Sequence, residues 1–182
     1  MGISGLILFL LMLGFLAPPA LLTPVQPICD PRVMEKYILE AQQADQDMGR
    51  VCAASCALLE TVRVPDTKVN FLEWKMMTTA RQASEVWGGL ALLVTALTQA
   101  QEHPPASLPS LREQLARMRS TLLSVKEILR SVNVEAEARP LEAAPPPALA
   151  IRTVEKLLSI YLNFLRGKVN LYLTEACRNY AR

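Results

Sequence analysis

Apolar residues recur at helical spacing in four stretches of the chain, and each stretch predicts an amphipathic helix. The third is the clearest, because its apolar positions alternate in steps of four and three residues, the pattern of a helix packed in a bundle. β-Branched residues are scattered instead of alternating, so strand signals are weak and the pattern predicts an all-α domain. The stripe of the third helix comprises Leu111, Leu115, Met118, Leu122, Val125, Leu129 and Val132.

Capping residues mark the starts of the first two helices. Asp30 is a good N-cap, and Pro31 suits the first helical position because proline has no N–H to leave unpaired. Asn70 with Glu73 three residues later has the spacing of a capping box. It predicts a second helix that continues to residue 102.

The third and fourth helices are bounded in the same way. Ser110 with Glu113 predicts the start of the third helix. The fourth is expected to begin near Ile151 and to run through Ala176, after the helix-breaking run Pro145–Pro147.

Connection lengths predict the topology. The first and third connections run to about twenty residues and the second to only about eight, so the second and third helices should be antiparallel neighbours. Twenty residues are enough to return along a helix of about 30 Å. This order of long, short and long predicts a four-helix up-up-down-down bundle with two long crossover loops, in which both chain ends lie at one end.

An apolar run from Leu6 to Leu16 predicts export. The run is too short to span a bilayer but suits the core of a signal peptide, and no charged residue precedes Asp30. We therefore predict a signal peptide at residues 1–23 and a single extracellular domain at 24–182. A membrane anchor is the alternative, disfavoured because Ala17-Pro18-Pro19 breaks the run, and no later segment predicts membrane insertion.

Four cysteines follow the signal segment: Cys29, Cys52, Cys56 and Cys177. In an exported chain an even number predicts disulfides, with three possible pairings. Cys52 and Cys56 are close enough to close a local loop, and the predicted topology brings Cys29 near Cys177. A zinc site is the competing interpretation, but His103 is the only histidine and the spacing is long.

The composition argues against several functions. The net charge of +2, without a long basic run, does not indicate nucleic-acid binding. His103 is the only histidine and lies in a Pro-rich loop, which argues against a His-based catalytic triad and a multi-histidine metal cluster, so we expect neither an enzyme nor a cofactor. A secreted helical carrier of a small apolar ligand stays open, because the Met and aromatic content permits a cavity.

Five segments, in order along the domain, resemble the erythropoietin/thrombopoietin family of long-chain hematopoietic cytokines. They are Ile28–Val33, Val64–Phe71, Val86–Leu93, Tyr161–Lys168 and Glu175–Arg178. A generic bundle has no physical need for Pro-Asp-Thr-Lys-Val-Asn-Phe in a crossover loop. The second and fourth segments favour the erythropoietin branch over thrombopoietin, growth hormone and other long-chain relatives.

The resemblance implies a monomeric, secreted hormone with two unequal receptor-binding surfaces. Each would bind one copy of a single-span, erythropoietin-type class I cytokine receptor, and the paired receptors would activate Janus kinases and promote erythroid proliferation, differentiation and survival. The tighter surface would combine Thr67, Lys68, Val69, Asn70 and Phe71 with Asn163, Arg166, Gly167, Lys168 and Leu171. The weaker surface would combine Arg32, Val33, Lys36 and Tyr37 with Arg119 and Ser120.

The physical properties of the tighter surface support a binding role independently of the resemblance. Asn163, Arg166 and Asn170 share a polar face of the fourth helix, and the chain from Ile151 onward has six basic and two acidic residues. Such a surface attracts an acidic partner. Two alternatives to a binding role stay open. The basic face can be ordinary solvated surface, and Phe71 can pack as a hydrophobic staple at the start of the second helix.

Overall fold

A computed structural model describes residues 29–52, 56–102, 109–132 and 147–180, with only the backbone at residues 109, 179 and 180. The predicted signal peptide at 1–23 lies outside these residues and stays a prediction. Within the described ranges, no helix combines the length and the apolar character needed to cross a membrane.

In the described part of the chain, four long helical segments make up the bundle: α1, α3, α4 and a last helix. The last helix consists of α5, a π-helical turn and α6 in direct succession. α1 packs against α5, and α3 packs against α4, so the up-up-down-down bundle expected from the sequence is confirmed. In chain order the elements are α1 (Pro31–Val51), β1 (Ala57–Pro65), α2 (Phe71–Met76), α3 (Thr79–Glu102), α4 (Pro109–Ser131), β2 (Ala148–Thr153), α5 (Val154–Phe164), the π-helical turn (Leu165–Val169) and α6 (Asn170–Tyr180).

The predicted start of α1 is confirmed. The Asp30 side chain accepts a hydrogen bond of 2.9 Å from the backbone N–H of Arg32, and Pro31 occupies the first helical position. α1 buries Met34, Ala41 and Met48 against the bundle.

The predicted stripe is confirmed, since its six apolar positions in α4 and Val132, directly after the helix, are all buried. The predicted cap is wrong, because α4 begins at Pro109 and Ser110 already lies inside the helix. Proline suits this first position, where the N–H that it lacks would have had no partner in the helix.

The prediction of one continuous second helix beginning at Asn70 is wrong. Asn70 does cap a helix, accepting hydrogen bonds from the N–H groups of Leu72 and Glu73. That helix is the six-residue α2, which ends at Met76 because the following residue, Met77, is in extended conformation. The Thr78 hydroxyl then accepts a 3.2 Å hydrogen bond from the N–H of Arg81 and starts α3. A threonine cap competes with helix continuation, because its side chain replaces the backbone carbonyl as the partner of a free N–H.

The domain is mostly helical, as expected, and the two crossovers also pair as a small antiparallel sheet, which the weak strand signals of the sequence did not predict. β1 aligns Val62 with Ile151 and Val64 with Leu149 of β2. Ile151, the predicted start of the fourth helix, therefore lies in a strand, and Thr153 caps α5 instead. Two extended segments on the same side of the bundle satisfy each other's backbone N–H and C=O groups, a gain that neither segment offers alone.

Two disulfides close the domain as predicted. Cys29 is bonded to Cys177 and Cys52 to Cys56, so the zinc interpretation of the four cysteines is wrong. The first bond joins Cys29, two residues before α1, to Cys177 in α6, which places the beginning and the end of the described domain side by side.

Candidate functional site

The crossover segment between β1 and α2 is held in a fixed conformation by short local hydrogen bonds. The Asp66 carboxylate accepts from the backbone N–H of Lys68 at 3.0 Å, and the N–H of Asp66 donates to the carbonyl of Pro147 at 3.0 Å. Asn70 closes the segment as the cap of α2. The residues between Asp66 and Phe71 are thus tied at both ends, so they present a defined surface.

This segment packs on the last helix, and together they form a shallow depression of about 390 Å³. Its lining unites residues about a hundred positions apart in the chain, as the resemblance implied. We call this the crossover surface: Thr67, Lys68, Val69, Phe71, Asn163, Arg166, Gly167 and Leu171.

Gly167 lies where the two parts of the crossover surface meet. A Cβ atom at this position would lie 3.7 Å from Val69 Cγ2 and 4.0 Å from the carbonyl oxygen of Thr67. The crossover segment therefore rests directly on the π-helical turn, and a side chain longer than methyl at residue 167 would displace it.

The chemistry of the crossover surface is that of a protein-binding patch. Phe71 is 61 % exposed, which disagrees with the alternative that it packs as a hydrophobic staple. Lys68, Asn163 and Arg166 are also exposed around it. An exposed aromatic ring beside an arginine is the composition of an interface hot spot, where the partner removes both from water.

Lys168 does not lie on this surface. It is only 7 % exposed, and its ammonium group is 2.7 Å from Glu85 Oε2 on α3. The other carboxylate oxygen of Glu85 accepts from Arg81 at 3.1 Å. A cation held in this way is not available to a partner protein without breaking the pair.

The residues of the weaker predicted surface lie on α1 and α4. Arg32, Lys36, Arg119 and Ser120 are exposed, whereas Val33 and Tyr37 are half-buried. We call this set the α1–α4 surface. It shares no residue with the crossover surface, so the two surfaces are distinct.

A groove of about 530 Å³ separates α1 from α4 next to this surface, and Ser120 lies on its edge. Tyr161 from α5 forms part of the lining. Burial raises the pKa of the Tyr161 phenol well above its usual range, and a hydrogen bond with Thr121 only partly opposes this effect. The phenol stays neutral at physiological pH and does not serve as a base.

Sequence reasoning missed the structural partners beneath the crossover surface. Glu85 lies three residues after the buried Gln82 and four before the buried Gly89, on the inward stripe of α3. A charged residue on such a stripe signals a buried ion pair, because a buried carboxylate requires a partner. The identity of that partner, Lys168, has no local signal, since the two residues are 83 positions apart.

Comparison with known proteins places the chain in a family. Residues 26–180 match the model of the family described as erythropoietin/thrombopoietin. The chain is 46 % identical to the erythropoietin of Equus caballus over 98 % of both chains, and 46 % identical to that of Ovis aries over 94 % of both. A third relative, from Canis lupus familiaris, is 46 % identical over 95 % of this chain and 87 % of its own length.

Proposed function

Because this chain belongs to the erythropoietin/thrombopoietin family, and is thus a cytokine hormone and not an enzyme, we propose that it binds an erythropoietin-type receptor through two surfaces. The crossover surface is the tighter site for one receptor copy. The α1–α4 surface is the weaker site for a second copy, and the ligand acts as a monomer.

The single observation that carries this proposal is the crossover surface itself. Phe71 and Arg166 are both exposed on one depression, and local hydrogen bonds fix the backbone of the crossover segment that carries Phe71. A preformed patch of this kind binds with little loss of conformational entropy, and its aromatic and arginine side chains supply the binding energy.

The signalling consequence follows from geometry in this proposal. Two receptor copies held by one rigid ligand bring their intracellular parts, and the Janus kinases associated with them, within reach of each other. The outcome is erythroid proliferation, differentiation and survival.

Secretion is part of the same proposal. The apolar run at residues 6–16 has the length of a signal-peptide core, and both disulfides are of the kind that persists in an oxidising compartment. The hormone therefore acts outside the cell, on receptors whose ectodomains face it.

The test is binding of the purified, processed chain to the receptor ectodomain, with the stoichiometry measured by light scattering. We expect a complex of one ligand with two receptor copies. Arg166→Ala should weaken the first binding step about 30-fold, the effect of losing about 2 kcal/mol at a hot spot. Arg119→Ala should abolish the second step and leave the first intact.

Lys156→Ala serves as the control, because Lys156 is an exposed lysine of α5 that lies on neither surface. It should bind like the unchanged chain. A chain that binds no receptor of this type, or that binds normally after Arg166→Ala, would contradict the proposal.

A further inference from the structure

Lys168 and Glu85 form an ion pair beneath the crossover surface, between the last helix and α3. Both side chains are about 7 % exposed, and the Nζ–Oε2 distance of 2.7 Å is that of a strong, charge-assisted hydrogen bond. Each oxygen of the Glu85 carboxylate has its own cation, since Arg81 donates to Oε1. The carboxylate is therefore fixed in position and orientation.

Lys168 belongs to the π-helical turn Leu165–Val169, the turn that also carries Arg166 and Gly167. Short π-helical segments interrupt an α-helix and are frequent at functional sites, because they change the direction in which neighbouring side chains point. In this turn Arg166 is exposed while Lys168 is buried two residues later. Anchoring Lys168 therefore sets the orientation of the turn relative to α3.

The same end of α3 also holds the other half of the crossover surface. Gln82, one turn before Glu85, donates a buried hydrogen bond of 2.7 Å to the carbonyl of Trp74 in α2. A small cavity of about 140 Å³ between these parts is lined by Lys68, Val69, Glu85 and Lys168 among others. α3 is thus a common base for the crossover segment and the π-helical turn.

We infer that the Lys168–Glu85 pair is a positioning device: it holds the π-helical turn in the orientation that presents Arg166 and Gly167, without contacting the receptor. This inference rests on the function proposed above and assigns Lys168 a role other than direct contact. A buried ion pair contributes little net stability compared with apolar residues of similar size, but its fixed geometry specifies one arrangement. Its loss should therefore affect binding more than folding.

The decisive variant removes both charges, Lys168→Met together with Glu85→Gln, so that neither ion is left buried alone. We expect its unfolding temperature to stay within roughly 5 °C of the unchanged chain, because neutral replacement of a whole buried pair is often tolerated. Binding of the first receptor ectodomain should weaken about tenfold, mainly through faster dissociation. Binding equal to that of the unchanged chain would overturn the inference.

A double-mutant cycle separates positioning from contact. If Lys168 acts through Arg166, adding the two neutral substitutions to Arg166→Ala should weaken binding less than about twofold further, because coupled residues are not additive. An additional loss of the full tenfold would show that Lys168 acts independently of Arg166, and would contradict positioning.

Hydrogen exchange on the free protein gives a readout that does not depend on any receptor. Backbone amides of residues 165–170 should exchange at least about tenfold faster in the neutral double variant, while those of α4 stay unchanged. Unchanged exchange at 165–170 would refute the positioning role, whether or not the chain binds a receptor. Failure to bind any receptor would by itself refute only the proposed function.

Leu129→Ala is the matched control for general destabilisation. Leu129 is fully buried in α4 and belongs to neither surface, so its truncation should lower the unfolding temperature and leave receptor affinity unchanged. If Leu129→Ala weakened binding as much as the neutral double variant, loss of binding would report stability alone and the inference would fail.

Discussion

Gly89 shows how a single missing side chain sets the distance between two helices. A Cβ atom at this position of α3 would lie 2.5 Å from Phe164 Cε2, and Phe164 is fully buried. An added Cβ atom would therefore require the buried ring or one of the helices to shift. The glycine lets α3 and α5 approach more closely than any other residue would.

Gly89→Ala should lower the free energy of unfolding by about 1–3 kcal/mol, because it overpacks the core. This loss comes in spite of the higher helix propensity of alanine, about 1 kcal/mol in its favour. Gly49→Ala is the control: nothing lies within 4 Å of its Cβ position in α1, so alanine should stabilise by about 0.5–1 kcal/mol. Urea denaturation measures both, and a stabilising Gly89→Ala would contradict the close packing.

Glu155 links the start of α5 to the small disulfide loop and makes stability depend on pH. Its carboxylate accepts from the backbone N–H of Cys56 at 3.1 Å. Burial by itself raises the pKa of Glu155, but hydrogen bonds from the backbone N–H groups of Cys56 and of Glu155 itself and from the Thr153 hydroxyl outweigh it. The net pKa lies below the ordinary value of 4.5.

A lowered carboxyl pKa in the folded state stabilises the protein above the ordinary pKa, and this contribution is lost as the pH falls through the folded value. Glu155→Gln should therefore reduce stability at pH 7 and flatten the loss of stability below pH 4.5. Thermal unfolding at pH 7 and pH 3 tests this. If the difference in unfolding temperature between pH 7 and pH 3 were the same in Glu155→Gln and in the unchanged chain, Glu155 would not contribute to the pH dependence of stability.

At the scale of elements, Thr78 decides that α2 and α3 are separate helices. Thr78→Ala removes the cap of α3 and should cost about 1 kcal/mol, as measured for other N-cap threonines. Thr79→Ala, one residue further and exposed inside the helix, should change the unfolding free energy by only a few tenths of a kcal/mol. Equal effects of the two substitutions would show that the cap does not matter.

Some elements were predictable from sequence patterns and others were not. The stripe of α4 and the cap of α1 were predictable, because residues three or four positions apart meet on one helix face and report local geometry. The sheet was not predictable, because Val62 and Ile151 pair only after both crossovers lie against the bundle. The local pattern of either segment does not specify which distant segment pairs with it.

At the scale of the whole molecule, the two disulfides should contribute unequally. Cys29 and Cys177 are 148 residues apart in sequence, whereas Cys52 and Cys56 are 4 apart. In the chain-entropy model a longer closed loop removes more freedom from the unfolded chain, about 5 kcal/mol for the first bond and about 2 kcal/mol for the second.

Replacing Cys29 and Cys177 by alanine should therefore lower the unfolding temperature much more than replacing Cys52 and Cys56. Differential scanning calorimetry of the two double variants makes the comparison, with the other disulfide intact in each. A larger drop in unfolding temperature on loss of the Cys52–Cys56 bond would contradict this ranking. The hydrogen bonds between the backbone of Cys56 and α5 would then contribute more to stability than loop entropy does.

The sequence by itself determined the helical class, the bundle topology and the disulfide pairing, because helix periodicity, caps and loop lengths are properties of neighbouring residues. The residues of the crossover surface were named from the family resemblance, and their binding role stays a prediction. Only the tertiary structure decided that the crossovers form a sheet and that Lys168 points inward to Glu85. These features depend on which distant groups meet in the packed core. A buried charge requires a partner, but the sequence around it does not specify which residue that partner is.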